Sequence, residues 1–297
     1  MKTFTPKDLP TQNLQAILQS VIVPRPIAFA STVDKAGNVN LSPFSFFNMF
    51  SANPPVVIFS PSRRVRDKST KHTLENVLEV PEVVIHIVGF ELVEQMSLAS
   101  TEYPREVNEF EKAGLTPVKS DMVAPPRVKE APVALECKVM EIKSFGEEGG
   151  AGNLVICEII RVHIREEILD ENGMADPHKL EPVARLGGSW YSRVIPESLF
   201  QIPKPLTTLG IGVDQIPAEI RNSPVLTGNN LGRLGNVEVL PSEEEIEAFS
   251  KVEEIAEMRI RFQNDRDSWM DHLHRWAKEE LEKGNVDLAW KILLQNP

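Results

Sequence analysis

The sequence is poor in the residues that build disulfide frameworks, metal sites and nucleic-acid surfaces. Only two cysteines, Cys137 and Cys157, occur among 297 residues, and they form no CxxC pair. This spacing argues against a disulfide scaffold and a structural zinc site, so we expect no bound metal. The formal net charge is −11. It argues against nucleic acid or an anionic membrane as the main partner, because both require clustered cations.

Long apolar runs are missing from the sequence as well. No stretch approaches the ~18 consecutive apolar residues of a membrane-spanning helix, and the N-terminal residues lack the apolar segment of a signal peptide. The apolar share of 41% is ordinary for a globular protein, and the length is ample to bury a core. We therefore expect a soluble, cytoplasmic protein.

The pattern of residues 1–170 favours strands over long helices. Two β-type runs flank DKAGN, a turn signal of the hairpin kind. Two longer runs, PVALECKVMEIKSF and NLVICEIIRVHIREEIL, are joined by GEEGGAGN, as by a flexible hairpin tip. Because strands and helices do not alternate regularly, the sequence predicts a mainly β (α+β) fold, a closed antiparallel barrel with peripheral helices.

The character of the chain changes near residue 200. We predict one domain over 1–200 and an extension over 201–297, which begins rich in proline and glycine and ends in helices. Ser242 and Glu245 have the spacing of a capping box. The apolar residues that follow form one helical stripe, expected to pack on the barrel or on a partner subunit: Ile246, Phe249, Val252, Ile255 and Met258.

The stretch LSPFSFFNMF places four of the 13 phenylalanines within seven residues. A half-buried strand alternates apolar and polar residues, but this alternation is interrupted at the adjacent residues Phe46 and Phe47. One interpretation is an irregular turn under a core. The other is a wall of aromatic, hydroxyl and amide groups, including Ser45 and Asn48, that faces a planar polar ligand.

A second motif, PRPIAFASTVD, holds Arg25 between two prolines and ends a strand with Ser31 and Thr32. The two hydroxyls have the chemistry to bond a polar ring edge or a ribityl chain. The alternative is an ordinary strand end with a Ser/Thr turn.

A third motif, SPSRRVRDKSTKHT, concentrates cations in an acidic chain. Five of them occur within nine residues: Arg63, Arg64, Arg66, Lys68 and Lys71. A helix start with free N–H groups follows, which suits a phosphate. Ser60 and Thr73 offer further hydrogen bonds, although a solvated basic loop remains the alternative. The chain has neither a P-loop nor a GxGxxG fingerprint.

The run ICEIIRVHI supplies one candidate acid. Under strict alternation Cys157, Arg161 and His163 share a strand face. A histidine titrates near neutrality, so His163 is a candidate proton donor, with a purely structural role as the alternative.

The run RLGGSWYSRV combines Gly187 and Gly188, which permit close backbone approach, with Trp190 and Tyr191, which offer stacking area. An ordinary tight turn with aromatic packing accounts for it as well.

Taken together, these stretches resemble the flavin reductase-like family with the FMN-binding split β-barrel. The matching pieces occur in family order over about residues 15–195: PRPIAFASTVDKAGNVNLSPFSFFN, PPVVIFS, KHTLENV, PVALECKVMEI, VICEIIRVHI and PVARLGGSWYSRV. The resemblance implies a homodimer with FMN at or near the subunit interface. It assigns these residues to the cofactor: Arg25, Ser31, Thr32, Ser45, Phe46, Phe47, Asn48, Ser60, Arg63, Lys71, Thr73 and Tyr191.

The activity implied by the resemblance is an NAD(P)H-dependent flavin reductase. NADH or NADPH is the expected co-substrate, and free flavin or a partner such as a flavin-dependent monooxygenase is the expected acceptor. His163 is the one catalytic candidate. Two alternatives remain: an FMN-bound electron carrier of the flavoredoxin type, and a non-catalytic flavin-binding or sensing module.

Overall fold

A computed structural model describes residues 1–203 and 205–296, which form two compact units, Met1–Phe200 and Gln201–Pro297. The first unit contains two hydrophobic clusters, and the described residues of the second unit contain one. Within the described ranges no helix is both long enough and apolar enough to cross a bilayer.

The first unit is built on antiparallel strands. They are β1 (Ala28–Val33), β2 (Val39–Phe44), β3 (Phe47–Ala52), β4 (Pro55–Phe59), β5 (Glu82–Ile87), β6 (Pro117–Val118), β7 (Arg127–Val128), β8 (Val133–Ser144), β9 (Asn153–Ile164), β10 (Val183–Arg185) and β11 (Tyr191–Arg193). Seven of these strands form one sheet in the order β2-β1-β5-β8-β9-β4-β3, and the remaining four form two small ladders. The predicted mainly β architecture is confirmed.

The strand β1 is buried along its whole length, between β2 and β5. Phe29 enters one hydrophobic cluster, whereas Ala28 and Ala30 enter another. This division follows from the alternation of side chains across a strand. The core of the unit therefore covers both faces of β1.

The hairpin of β8 and β9 contains irregularities that the sequence pattern does not announce. Glu136 pairs with Arg161 and the next residue pairs with Ile159, so Ile160 is an extra residue of β9. A bulge of this kind breaks the alternation of faces. Cys157 is consequently buried in the core while Arg161 is exposed. The predicted common face of Cys157, Arg161 and His163 is therefore wrong.

Five helices accompany the sheet: α1 (Thr11–Val21), α2 (His72–Glu79), α3 (Val93–Leu98), α4 (Glu109–Ala113) and α5 (Pro177–Leu180). The helix α2 packs on β1 and β2 and buries Leu74 and Val77. The helix α1 buries no residue completely, and its apolar Leu18 and Val21 are exposed.

The second unit is helical in its described residues. Its helices are α6 (Ala218–Arg221), α7 (Gly228–Leu234), α8 (Glu243–Phe249), α9 (Glu253–Arg261), α10 (Arg266–Glu282) and α11 (Val286–Leu293). The predicted capping box is confirmed at the start of α8, where Ser242 and Glu245 bond each other's backbone N–H. The predicted apolar stripe is divided between α8 and α9. Ile255 and Met258 from it enter the core of this unit, beside Trp269, so these two residues of the stripe pack within the extension itself.

Candidate functional site

A cleft of about 390 Å³ opens in the first unit, where the connection from β2 to β3 meets the loop that follows β4. The helix α1, the residue before α2 and the segment after α3 complete its walls. The lining residues are Gln15, Gln19, Pro43, Phe44, Ser45, Phe46, Ser60, Ser62, Arg63, Arg64, Val65, Arg66, Lys71 and Glu102. Aromatic, hydroxyl, amide and cationic groups thus meet at one place.

The charge of the cleft is opposite to that of the whole chain. Arg63, Arg64, Arg66 and Lys71 line it, against the single carboxylate of Glu102. Burial, followed by the charge of Arg64, lowers the pKa of Lys71. The side chain of Arg64 is only 15% exposed, so its charge is weakly screened by solvent. The cleft therefore favours an anion.

Two buried polar atoms at the cleft, Ser62 Oγ and Arg63 Nε, find no hydrogen-bond partner among residues 1–203 and 205–296. The neighbouring Arg63 Nη1 donates to the carbonyl of Lys68 at 3.1 Å. Leaving a buried donor unpaired costs about 1–3 kcal/mol, and more for a charged group. Donors in this state suit a ligand with acceptor oxygens, such as a phosphate.

The tip of the β8–β9 hairpin is hydrogen-bonded to the loop after β4, here called the cationic loop because it carries Arg63, Arg64 and Arg66. The N–H of Arg63 donates to the carbonyl of Ala151 at 2.9 Å, and the N–H of Gly150 donates to the carbonyl of Arg63 at 3.0 Å. A Cβ on Gly149 would lie 2.7 Å from the carbonyl oxygen of Val65, so this close approach requires glycine. The segment predicted as a flexible tip thus bonds through its backbone to the loop that carries the cations.

Glu102 lies among three of these cations. Its Oε1 accepts a hydrogen bond from Arg64 Nε at 2.8 Å and lies 3.8 Å from Lys71 Nζ. Its Oε2 accepts from Arg66 Nη2 at 2.6 Å. The hydrogen bond from Arg64 is the main cause that lowers the pKa of Glu102. The carboxylate is therefore ionised at neutral pH.

A second cavity of about 290 Å³ adjoins the cleft and shares Phe46 with it. Arg25 lies in its wall. The Nη1 of Arg25 donates to the carbonyl of Ile22 at 2.6 Å and its Nη2 to the carbonyl of Leu186 at 2.9 Å, while its Nε reaches Ser45 Oγ at 3.4 Å. Arg25 thus ties the chain after α1 to the turn between β10 and β11.

The structure brings five of the residues predicted from the resemblance into the cleft: Ser45, Phe46, Ser60, Arg63 and Lys71. Arg25 adjoins them. Thr73 lines a small neighbouring pocket that shares Lys71, but its Oγ1 already accepts from Asn40 Nδ2 at 2.8 Å.

Ser31 and Thr32 do not line the cleft. Both are fully buried within β1. Thr32 Oγ1 accepts a hydrogen bond from Asn76 Nδ2 at 3.2 Å, which fastens α2 to the sheet. Ser31 Oγ has no hydrogen-bond partner among the residues described.

Three further predicted residues also lie outside the cleft lining. Phe47 packs against the core of the sheet. Asn48 is exposed on β3, and its Oδ1 accepts from the next N–H along the chain at 2.8 Å. Tyr191 lies beneath the guanidinium of Arg185, 4.6 Å from the ring centre, and lines a different cavity.

His163 lies far from the cleft. Its strand begins at Asn153, whose N–H donates to the cleft hydroxyl of Ser60 at 3.1 Å. The ten residues from there to His163 correspond to roughly 30 Å of strand. His163 Nε2 instead bonds buried Glu136 Oε1 at 2.7 Å.

The surroundings of His163 form a charged network. Asp121, Glu136 and His163 offer metal-type ligand atoms within 4.8 Å of one another. However, Arg127 Nε lies 3.9 Å from Glu136 and Arg161 Nε lies 3.8 Å from Asp121. These guanidinium groups supply the countercharge that an ion would supply.

Sequence reasoning missed several lining residues. Gln15 and Gln19 are four residues apart on α1 and so share one helix face, and this spacing is the signal that marks them in the sequence. Ser62 lies inside the cationic motif, beside cations that were predicted. Nothing in the sequence marks Glu102, which lies 38 residues from Arg64.

The comparisons with known proteins agree with this geometry. A family model described as "Flavin reductase like domain" matches residues 20–181. A protein of Aquifex aeolicus, described only as uncharacterized, is 38% identical over 199 residues, which cover 67% of this chain and 99% of that protein.

Solved structures share the fold of the first unit. Nitrilotriacetate monooxygenase component B from Bacillus cereus is 31% identical with a TM-score of 0.64, over 68% of this chain and 98% of that one. A protein with a split barrel domain from Shewanella frigidimarina is 25% identical with a TM-score of 0.58, over 69% of this chain and 100% of that one. The predicted split barrel is thereby confirmed.

Proposed function

The chain belongs to the flavin reductase-like family, and on this premise we propose that it is an FMN-binding NAD(P)H:flavin oxidoreductase. The family supports a flavin-related redox function in general. The preference for FMN, the nicotinamide donor and the acceptor are our proposals. When bound, the flavin supplies the redox chemistry, by taking up a hydride and passing electrons on, and the protein supplies binding, orientation and charge.

One observation carries the choice of a phosphate-bearing flavin. The buried, unpartnered donors Ser62 Oγ and Arg63 Nε lie at a cleft that is also lined by Arg64 and Lys71. An FMN phosphate offers the acceptor oxygens and the negative charge that these groups lack. Riboflavin lacks the phosphate with its charged oxygens, and the larger FAD is not needed to satisfy these donors.

The cleft residues would contact different parts of bound FMN. Ser62, Arg63 and Lys71 would hold the phosphate. Phe46, together with Ser45 at the β2–β3 connection, would lie along the ring and the ribityl chain. The apolar cavity that shares Phe46 offers room for the nicotinamide of NADH or NADPH beside the flavin.

We propose that a second copy of the chain covers the exposed apolar surface beside the cleft. Val21 and Ile22 are more than 60% exposed, as are Met49 and Phe50 on the edge strand β3. Exposed apolar edges of this kind are typical of interfaces, because they otherwise promote aggregation. A homodimer would bury them next to the proposed flavin.

The electron acceptor is free flavin or a flavin-dependent monooxygenase. The similarity to a monooxygenase component B supports the second possibility. Tight retention of FMN with no nicotinamide oxidation would instead indicate a carrier of the flavoredoxin type.

The proposal is tested by the absorbance spectrum of the purified protein loaded with FMN, before and after anaerobic addition of NADH and then of NADPH. We expect flavin bands that bleach with at least one of the two nucleotides. Bands that persist with both would contradict the reductase and favour a carrier. A protein that gains no bands with added FMN would refute the flavin site itself.

A further inference from the structure

We infer that Glu102 competes with the ligand phosphate for the same cations, and that it keeps bound FMN exchangeable. This inference rests on the proposed function, since it concerns the phosphate end of the same cleft. It distinguishes a flavin that is exchanged as a substrate from one that is retained as a cofactor. No other residue of the cleft lining carries a negative charge.

The hydrogen bonds of Glu102 carry the inference. Both carboxylate oxygens accept from arginine, Oε1 from Arg64 at 2.8 Å and Oε2 from Arg66 at 2.6 Å. Lys71 Nζ lies 3.8 Å from Oε1. Guanidinium and ammonium groups are the donors that a phosphate uses most strongly. A carboxylate that already occupies three of them acts as an internal substitute for the ligand's anion.

The exposure and hydrogen bonds of Arg64 and Glu102 indicate which of the two a ligand anion would displace. The side chain of Arg64 is 15% exposed, whereas that of Glu102 is 38% exposed. Arg64 Nη1 also donates to Ser69 Oγ at 2.9 Å and to the carbonyl of Thr70, so the guanidinium is fixed from its other side. A ligand anion would therefore displace the carboxylate and leave the arginine in place.

The charges that line the cleft support the same inference. Glu102 cancels one of the four positive charges of the cleft, and it does so next to the groups that would bind phosphate. Like charges within about 4–6 Å oppose each other strongly where screening is weak. A phosphate that enters must either displace Glu102 or bear its repulsion. Both outcomes weaken the binding of FMN and speed its release.

The test is the variant Glu102→Gln of the full chain, titrated with FMN and with riboflavin by isothermal calorimetry. The substitution keeps the shape and removes the charge. We expect the Kd of FMN to fall on the order of tenfold or more, with a slower release of FMN and an unchanged Kd of riboflavin. The matched control is Glu106→Gln, which removes the same charge from the same segment. Among the described residues Glu106 makes no ion pair, and it does not line the cleft.

A result in which the ratio of the two flavin affinities is unchanged or reversed would overturn the inference, because Glu102 would then only position the arginines. Inorganic pyrophosphate, titrated in parallel, separates this failure from a failure of the proposed function. If neither flavin binds but Glu102→Gln tightens pyrophosphate binding, Glu102 does compete with anions, and the proposal that the cleft binds flavin is refuted. If pyrophosphate binding is not tightened, Glu102 does not compete with anions.

Discussion

Replacing Arg63 by glutamine should weaken the binding of FMN far more than that of riboflavin, the same flavin without its phosphate. Arg63 Nε is buried at the cleft without a partner among the described residues, while Nη1 is engaged by the carbonyl of Lys68. The chain leaves this donor unsatisfied, so a ligand oxygen that reaches it would gain a hydrogen bond to a charged group. Since riboflavin has no phosphate, its affinity reports any damage to the ring and ribityl parts of the site.

The magnitude follows from the kind of bond that is lost. A hydrogen bond to a charged group contributes about 1.5–3 kcal/mol, and every ~1.4 kcal/mol corresponds to a factor of ten in Kd. We expect the Kd of FMN to rise by roughly 10- to 150-fold in Arg63→Gln. The Kd of FMN in Arg63→Lys should lie between the values of wild type and Arg63→Gln, because lysine keeps the charge but lacks the planar fork of donors.

The assay is quenching of flavin fluorescence, with both flavins titrated into wild type and variants. Lys68→Gln is the matched control. It removes one positive charge from the same loop, but its Nζ bonds Glu148 at 2.6 Å and its side chain is 58% exposed. An equal loss of affinity for both flavins in Arg63→Gln, or a loss as large in Lys68→Gln, would refute the specific role of Arg63.

Two further predictions concern stability and loop geometry. Buried His86 donates Nδ1–H to the carbonyl of Phe29 and accepts the N–H of Val128 at Nε2, and burial lowers its pKa from 6.5 to about 4. The pKa of His86 is lower in the folded protein than in the unfolded one, so neutral His86 contributes to the free energy of unfolding. This contribution is fully present above pH 6.5 and is lost as the pH falls towards 4, up to about 3 kcal/mol. Urea unfolding should show a flatter pH dependence in His86→Gln than in wild type, and equal slopes would contradict the account. The second prediction is that Gly149→Ala weakens FMN binding, because the new Cβ would meet the backbone of Val65 at 2.7 Å and displace the cationic loop. Flavin titration should show little change in Gly232→Ala within α7, where the backbone is helical and a Cβ meets nothing within 4 Å, and an equal effect in both variants would count against the hairpin tip as the support of the loop.

Several features of the site were predictable because they are local. The cationic motif and the aromatic stretch each occupy a few consecutive residues, and Phe46, Arg63 and Lys71 from them line the cleft. The capping box at Ser242 is likewise local, since it depends on a spacing of three residues. Patterns of this kind survive folding because neighbouring residues stay together in any fold.

The predicted common face of β9 was wrong because strand pairing decides which face a residue occupies. One extra residue, Ile160, reverses the faces of β9 and separates Cys157 from His163. The sequence shows the alternation but not the bulge, which depends on the partner strand. Thr32 has the right chemistry for a ligand, yet the partner that it meets is Asn76.

The strand-rich barrel, the helical character of the extension and the cationic motif that lines the cleft could be predicted from the amino-acid sequence alone. These properties depend on composition and on periodicities of a few residues. Which donors and acceptors are left unpaired depends instead on contacts between distant parts of the chain. Asn153 reaches Ser60 across 93 residues, and Glu102 reaches Arg64 across 38. Whether a donor is satisfied or left open depends on such long-range contacts, and no local pattern encodes them.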